Sequence, residues 1–257
     1  MLNFRNTNIF FISLLIVLIG VHIRFDIPVS VYPLLVVIYS LIVFYGCYYV
    51  GSNFFINIIC SAHTDQKEIA ISFDDGPVMN YTPQILRLLS DENIKATFFC
   101  IGNRIVGNEN ILKQINEAGH IIGNHSYTHH FWFDMFSSKK MLDDLKRMDL
   151  EMERVTGLKP KLFRPPYGVT NPNLKKAIIK GGYNPVGWSV RSKDTVIRDE
   201  KKLLHKINRG LKPGAVFLFH DTSKTTLNVL PVFIQQVKDK GFHIIPLDKL
   251  LHLKPYA

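Results

Sequence analysis

The chain has 257 residues, with 31 Lys and Arg against 21 Asp and Glu and a formal net charge of +10. A basic balance favours anionic lipid, an acidic cell-wall polymer or nucleic acid. No Lys/Arg-rich block with interleaved aromatics occurs, which argues against nucleic acid, and the pairs Lys139-Lys140, Lys175-Lys176 and Lys201-Lys202 read as solvated helix faces. Cys47, Cys60 and Cys100 have no disulfide-framework or zinc-knuckle spacing, so cysteine leaves the compartment open.

In chain order, residues 8–23 carry no charged side chain, residues 24–28 (Arg24-Phe25-Asp26-Ile27-Pro28) interrupt, and residues 29–60 are again free of charge. A membrane span needs roughly 20 apolar residues. No A-x-A-like site follows the first run, so a two-helix transmembrane hairpin over residues 1–60 is preferred to a removed signal peptide. Tyr32, Tyr39, Tyr45, Tyr48 and Tyr49 are partly suited to interfacial positions. A buried core hairpin is the alternative.

Residues 61–67 read as a polar linker and residues 68–257 as a catalytic domain. Strands are expected at 69–73, 96–101, 120–123, 161–163, 183–187, 215–219 and 243–245. Helices are expected at 82–90, 108–118, 137–155, 171–180, 199–210, 225–240 and 247–251, with Pro83 and Pro172 just inside two helix starts. This alternation predicts an α/β fold of parallel strands with crossover helices, a distorted (β/α)7–8 barrel. Asp74-Asp75, Asn124-His125, Arg164, residues 188–194 and His220-Asp221 all follow expected strands. They therefore gather on the rim where such barrels do chemistry.

The adjacent carboxylates Asp74 and Asp75 repel one another unless a cation or proton lies between them. Alone, they also suit an Asp-rich turn stopped by Gly76-Pro77. His125 and His129 stand four residues apart, so on a helical turn they share a face. One Asp and two His form a three-ligand set with open positions, as catalytic zinc sites have, and iron or cobalt would also fit. One aspartate then neutralises metal charge while the other accepts a proton from the attacking water. His130 reads as surface.

From about residue 68 to 251 the chain resembles the polysaccharide deacetylase family, also described as the NodB-homology or carbohydrate esterase family 4 domain. Ser72-Phe73-Asp74-Asp75-Gly76-Pro77 resembles its first motif, His125-Ser126-Tyr127-Thr128-His129 its second, Arg164-Pro165-Pro166-Tyr167-Gly168 its third and Leu218-Phe219-His220 its fifth. The resemblance implies Asp74 as base, with Asp75, His125 and His129 as ligands of one divalent metal ion (zinc, with cobalt or another divalent ion possible). It implies Arg164 as the holder of Asp74, and the Tyr167 backbone N–H as an oxyanion donor. It implies Leu218 as acetyl-pocket lining, His220 as general acid and Asp194 as that histidine's partner. The fourth motif departs from the pattern: Arg191 stands where the family carries an acid and Thr195 where it carries a tryptophan, with Trp188 a candidate replacement wall.

The function implied is hydrolysis of the N-acetyl group of a cell-wall or surface glycan. Deformylation or deacetylation of a lipid-linked sugar and inactive glycan binding are the alternatives. The expected setting is a multi-pass bacterial cell membrane protein, with membrane lipid and glycan as partners and the catalytic domain on the outer face. No protein partner is inferable.

Overall fold

The structure, a computed structural model, describes residues 2–257. Helices α1 (Phe4–Arg24) and α2 (Val31–Tyr48) have mean hydropathies of 2.0 and 1.9 and are long and apolar enough to cross a membrane. Their side chains, among them Phe10, Ile16, Leu34, Val36, Leu41 and Phe44, are exposed around the pair. Such helices lack the polar outer face that a water-bathed helix shows. Asn3 caps α1 by accepting from the Asn6 N–H. Between the helices, Tyr39 Oη donates to Asn8 Oδ1 at 2.9 Å.

The second charge-free run was expected to be membrane to residue 60, but α2 stops at Tyr48. From there the chain turns through Asn53, at φ 53 in the left-handed region, and folds onto the domain. Val50, Phe54, Phe55 and Ile58 are buried. Lack of charge marks both lipid-facing and core segments, so composition alone does not separate them.

The rest of the chain is built on a parallel sheet crossed by helices. In chain order it comprises β1 (Glu68–Asp74), α3 (Thr82–Asp91), β2 (Thr97–Cys100), α4 (Gly102–Ile105), α5 (Glu109–Glu117) and β3 (Ile121–Asn124). Then come α6 (Ser138–Thr156), β4 (Leu162–Phe163), α7 (Pro172–Gly181), β5 (Asn184–Pro185), β6 (Val190–Arg191), α8 (Glu200–Arg209), β7 (Val216–His220), α9 (Lys224–Asp239), β8 (His243–Ile244) and α10 (Leu247–Leu251). Sheet order is β5-β4-β3-β2-β1-β7-β6, with β8 also on β1. Side chains cap α6 and α7: Ser137 Oγ accepts from Lys140 N and Asn171 Oδ1 from Leu174 N. Strand β6 has no counterpart in the expected elements, because Val190 is its one apolar residue.

The sheet curls as a barrel does, but β5 and β6 are its ends and do not pair with each other. The seam is filled from the N-terminal side. Ile59 bridges Val186 and Ser61 bridges Ala215, with Ile59 N donating to Pro185 O and Ala62 N to Gly214 O. The expected distorted barrel is therefore an open, curled half-barrel, sealed by chain that precedes its first strand. Its core includes Phe73 stacked on Phe98 with ring centroids 5.0 Å apart, and Phe217 against Phe233 at 5.1 Å. Parallel register sets Asp74 beside Phe99 on one side and His220 on the other.

Candidate active site

Asp74 closes β1 and is buried. Its Oδ1 accepts from Arg164 Nη1 at 2.7 Å. The Arg164 side chain, 0% exposed, leaves β4 and crosses beneath the rim. It also donates to Ser72 Oγ at 2.8 Å, Gly187 O at 2.8 Å and Val186 O at 3.3 Å, and its guanidinium lies 4.0 Å from the Phe99 ring centre. Burial pulls the guanidinium below its ordinary pKa, and the Asp74 charge pulls the other way. Four acceptors and an aromatic face offset the desolvation of a charge that would be costly unpaired.

Asp75 leaves the strand at φ 78, and Ser126, His129 and Tyr167 also have positive φ, at 66, 43 and 59. Left-handed backbone is disfavoured for such side chains, and its concentration around one rim marks a constrained site. Gly76 has no room for a side chain: a Cβ there would lie 2.0 Å from Asp221 Oδ2.

The sequence-expected ligands converge. His125 Nδ1 is 2.8 Å from the Arg164 carbonyl. A carbonyl only accepts, so Nδ1 carries a proton and Nε2 is the nitrogen that faces Asp75. His125 Nε2 is 3.6 Å and His129 Nε2 3.5 Å from Asp75 Oδ1, and the three donor atoms lie within 4.8 Å of one another. Burial, with His125 beside it, pushes the His129 pKa down to about 4 against the opposing pull of Asp75. That favours the neutral imidazole a metal ligand requires. One carboxylate and two neutral imidazoles suit a divalent cation, zinc among them. His130, the adjoining histidine, is exposed as expected.

The acid candidate ends β7, the strand paired with β1. His220 Nδ1 is 2.7 Å from Asp194 Oδ1, and the His220 N–H donates to Asp194 Oδ2 at 2.7 Å. Asp194, fully buried, also accepts from Ser192 Oγ at 2.9 Å, Thr195 N at 3.1 Å and Thr226 Oγ1. Burial opposes a charged imidazole, but the Asp194 bond and charge outweigh it and raise the His220 pKa to about 9.

These groups line one cavity of about 280 Å³, together with Tyr167, Trp188, Arg191, Thr195 and Leu218. Leu218 is 2% exposed on β7. Trp188 packs over Gly168, whose missing Cβ would lie 2.6 Å from the indole. The Arg191 guanidinium is 5.6 Å from the Trp188 ring centre. Arg164 and Asp194 stand just behind the cavity wall, in contact with Asp74 and His220.

Sequence reading missed the supports. Ser72 sits inside the first motif but reads as strand core, and Thr226 lies 32 residues from its partner Asp194. Asp221 accepts from Thr82 Oγ1 at 2.6 Å, and burial lifts its pKa to about 7. Only His220-Asp221 adjacency hinted at it.

Residues 61–186 match a family model described as polysaccharide deacetylase. The chain is 33% identical to the peptidoglycan-N-acetylglucosamine deacetylase PgdA of Listeria monocytogenes over 184 residues, 72% of this chain and 39% of that relative. It therefore spans well under half of that relative's length. It is 31% identical to the peptidoglycan-N-acetylmuramic acid deacetylase PdaA of Bacillus subtilis over 219 residues, 84% of this chain and 79% of the relative. The Bc1960 peptidoglycan N-acetylglucosamine deacetylase structure superposes with a TM-score of 0.74 at 29% identity, covering 78% of this chain and 95% of that one. With the four motifs assembled on one rim of the matching fold, the chain belongs to the polysaccharide deacetylase family.

Proposed function

We propose that this chain removes N-acetyl groups from an N-acetylated sugar of a bacterial cell-wall glycan, in the manner of a metal-dependent deacetylase. The observation that carries the reading is the sharing of one small cavity by a Arg-held carboxylate, an Asp-held imidazole and an Asp/His/His cluster. The names of the relatives point to peptidoglycan as the substrate.

Asp75, His125 and His129 would hold the ion, which when bound supplies Lewis acidity and eases ionisation of water. The chain's own groups do the proton work. Asp74, held by Arg164, accepts a proton from the water that attacks the amide carbonyl. The Tyr167 N–H is assigned to the developing oxyanion. His220, charged at neutral pH through Asp194, gives its proton to the leaving nitrogen as the C–N bond breaks. Acetate and a free amine result. Leu218 and Trp188 shape the acetyl end of the cavity.

Residues 1–60 are proposed as a two-span anchor in a multi-pass bacterial membrane protein, followed by a link at 61–67 and the catalytic domain at 68–257, facing outward to the wall. The end of that anchor, past α2, joins the helical hairpin to the domain through buried Val50, Phe54, Phe55 and Ile58 and the Ile59–Val186 bridge. Deacetylation of a lipid-linked sugar is the second reading, favoured by the contact between the end of α2 and the segment just after the third motif. Thr170 donates through its N–H to Cys47 O at 2.9 Å and through Oγ1 to Gly46 O at 3.1 Å.

The test is acetate release by the full chain in detergent, from N-acetylglucosamine oligomers and from peptidoglycan, with zinc or cobalt added. Release that a chelator and Asp74→Asn both abolish supports the proposal. A folded, metal-loaded protein that releases nothing from either, but acts on a lipid-linked N-acetyl sugar, moves the assignment to the second reading. Metal and glycan binding with no release from any substrate would leave an inactive glycan binder.

A further inference from the structure

The segment between the second motif and α6 does something the chemistry does not need. Residues 131–136 read Phe-Trp-Phe-Asp-Met-Phe. Phe133 is anchored in the core beside Met141, Leu145 and Phe163, with Ile56 packed against the same cluster. Its neighbours turn the other way: Phe131 is 69%, Trp132 58% and Met135 72% exposed. Three large apolar side chains on one short turn form a patch of the kind that marks a contact surface.

Its position identifies the contact. Asn171 Nδ2 donates to Asp134 O at 2.6 Å, while the adjacent Thr170 holds the Gly46 and Cys47 carbonyls at the end of α2. Two consecutive residues therefore tie this turn and the end of the apolar hairpin to one point. Ile56, a few residues past the hairpin, makes the third tie. On the inner side, the Phe131 ring lies 6.3 Å from that of Tyr167, which lines the cavity. Lys139 and Lys140 follow at the start of α6, both exposed, with Lys140 Nζ 3.6 Å from the Phe136 ring centre. Trp, Phe and Met beside exposed lysines suit the headgroup layer of an anionic bilayer, where aromatic rings and cations are both favoured.

We propose that Phe131, Trp132 and Met135 form a second membrane contact, dipping into the interface beside the hairpin and holding the cavity mouth at headgroup level. The site would then take glycans presented at the membrane surface. The proposal rests on the anchor reading above, and the experiment separates the two.

The chain contains two tryptophans, Trp132 and Trp188, so Trp132→Phe isolates the first by difference. The full chain is reconstituted in phosphatidylcholine–phosphatidylglycerol vesicles, and association is read by flotation. Trp132 emission is then measured with lipids brominated near the headgroup end or near the methyl end of the acyl chain, and with aqueous iodide. Flotation with blue-shifted Trp132 emission, quenched more by the shallow bromines than by the deep ones and shielded from iodide, supports the proposal. Flotation with solvent-like, iodide-quenched emission overturns it and leaves the anchor standing. Shielding that appears only when an N-acetylglucosamine oligomer is added also overturns it, and makes the turn a sugar platform. A chain that does not float fails the anchor reading and takes this one with it.

Discussion

The β1 and β7 sides of the cavity each hold a carboxylate against a cation, and the two cations differ in kind. On the β1 side, Asp74 faces Arg164, a permanent charge sealed from water and satisfied by four oxygens. On the β7 side, Asp194 faces His220, a ring that can lose its proton and opens partly to the cavity. In the first pair the aspartate is at the cavity and the cation behind it; in the second the order is reversed. A base must present its carboxylate to the substrate, and the fixed charge of Arg164 holds Asp74 at the cavity. An acid needs a proton it can give up, which only the titratable partner supplies. On the proposed mechanism, the same two-charge motif would serve opposite roles according to which member meets the substrate.

Breaking the β1 side should cost most. Asp74→Asn removes the proton acceptor, and acetate release should fall by about 10²–10⁴-fold, as for loss of a general base. Arg164→Met leaves a buried carboxylate without its cation, and chemical denaturation should show about 3–5 kcal/mol less stability. Loss of activity without loss of stability would mean that Arg164 is not holding a buried charge.

On the β7 side the effect is smaller and depends on pH. The raised His220 pKa means that the stabilising His220–Asp194 pair is complete below the ordinary histidine value of about 6.5. It is lost as pH rises through about 9. Activity that needs the proton on His220 should fall over the same upper range. In Asp194→Asn that alkaline limb should move to lower pH, read from the pH dependence of acetate release. An unmoved limb would assign the titration to another group.

Zinc should raise the unfolding temperature of the wild-type chain, and His129→Ala should shrink that increment, consistent with a ligand that binds only the folded state. The smallest change expected is from Arg191→Gln. Arg191 lies on the cavity rim without a carboxylate in ion-pair reach among the described residues. Its loss should raise KM for acidic or phosphorylated N-acetyl sugars more than for neutral oligomers, by a few-fold at most, as for a solvent-exposed pair.

Much of this was readable in the sequence because each chemical group sits at the end of an apolar run. Asp74-Asp75 after residues 69–73, and His220 after 215–219, needed only a strand and the parallel topology to bring them together. What sequence hid was of two kinds. Very short strands carry almost no pattern, so β6 with its single Val190 was invisible. Supporting contacts between distant residues leave no local trace: Thr226 on Asp194, Ser72 under Arg164, and Ile59 and Ser61 in the seam. The packing of Val50, Phe54, Phe55 and Ile58 onto the domain was hidden as well, because buried packing and lipid contact select the same side chains.

The seam has a further consequence. A domain on a floppy leash can sweep a volume set by its tether, but here Thr170 holds the last turn of α2, and the chain beyond it packs into the core and fills the gap beside β5. There is no slack. With the hairpin in a membrane, the cavity works at a fixed height, within the roughly 40 Å breadth of a domain this size. On the proposed function, glycan laid down beyond that layer would be out of range, and only wall material close to the membrane would be acted on.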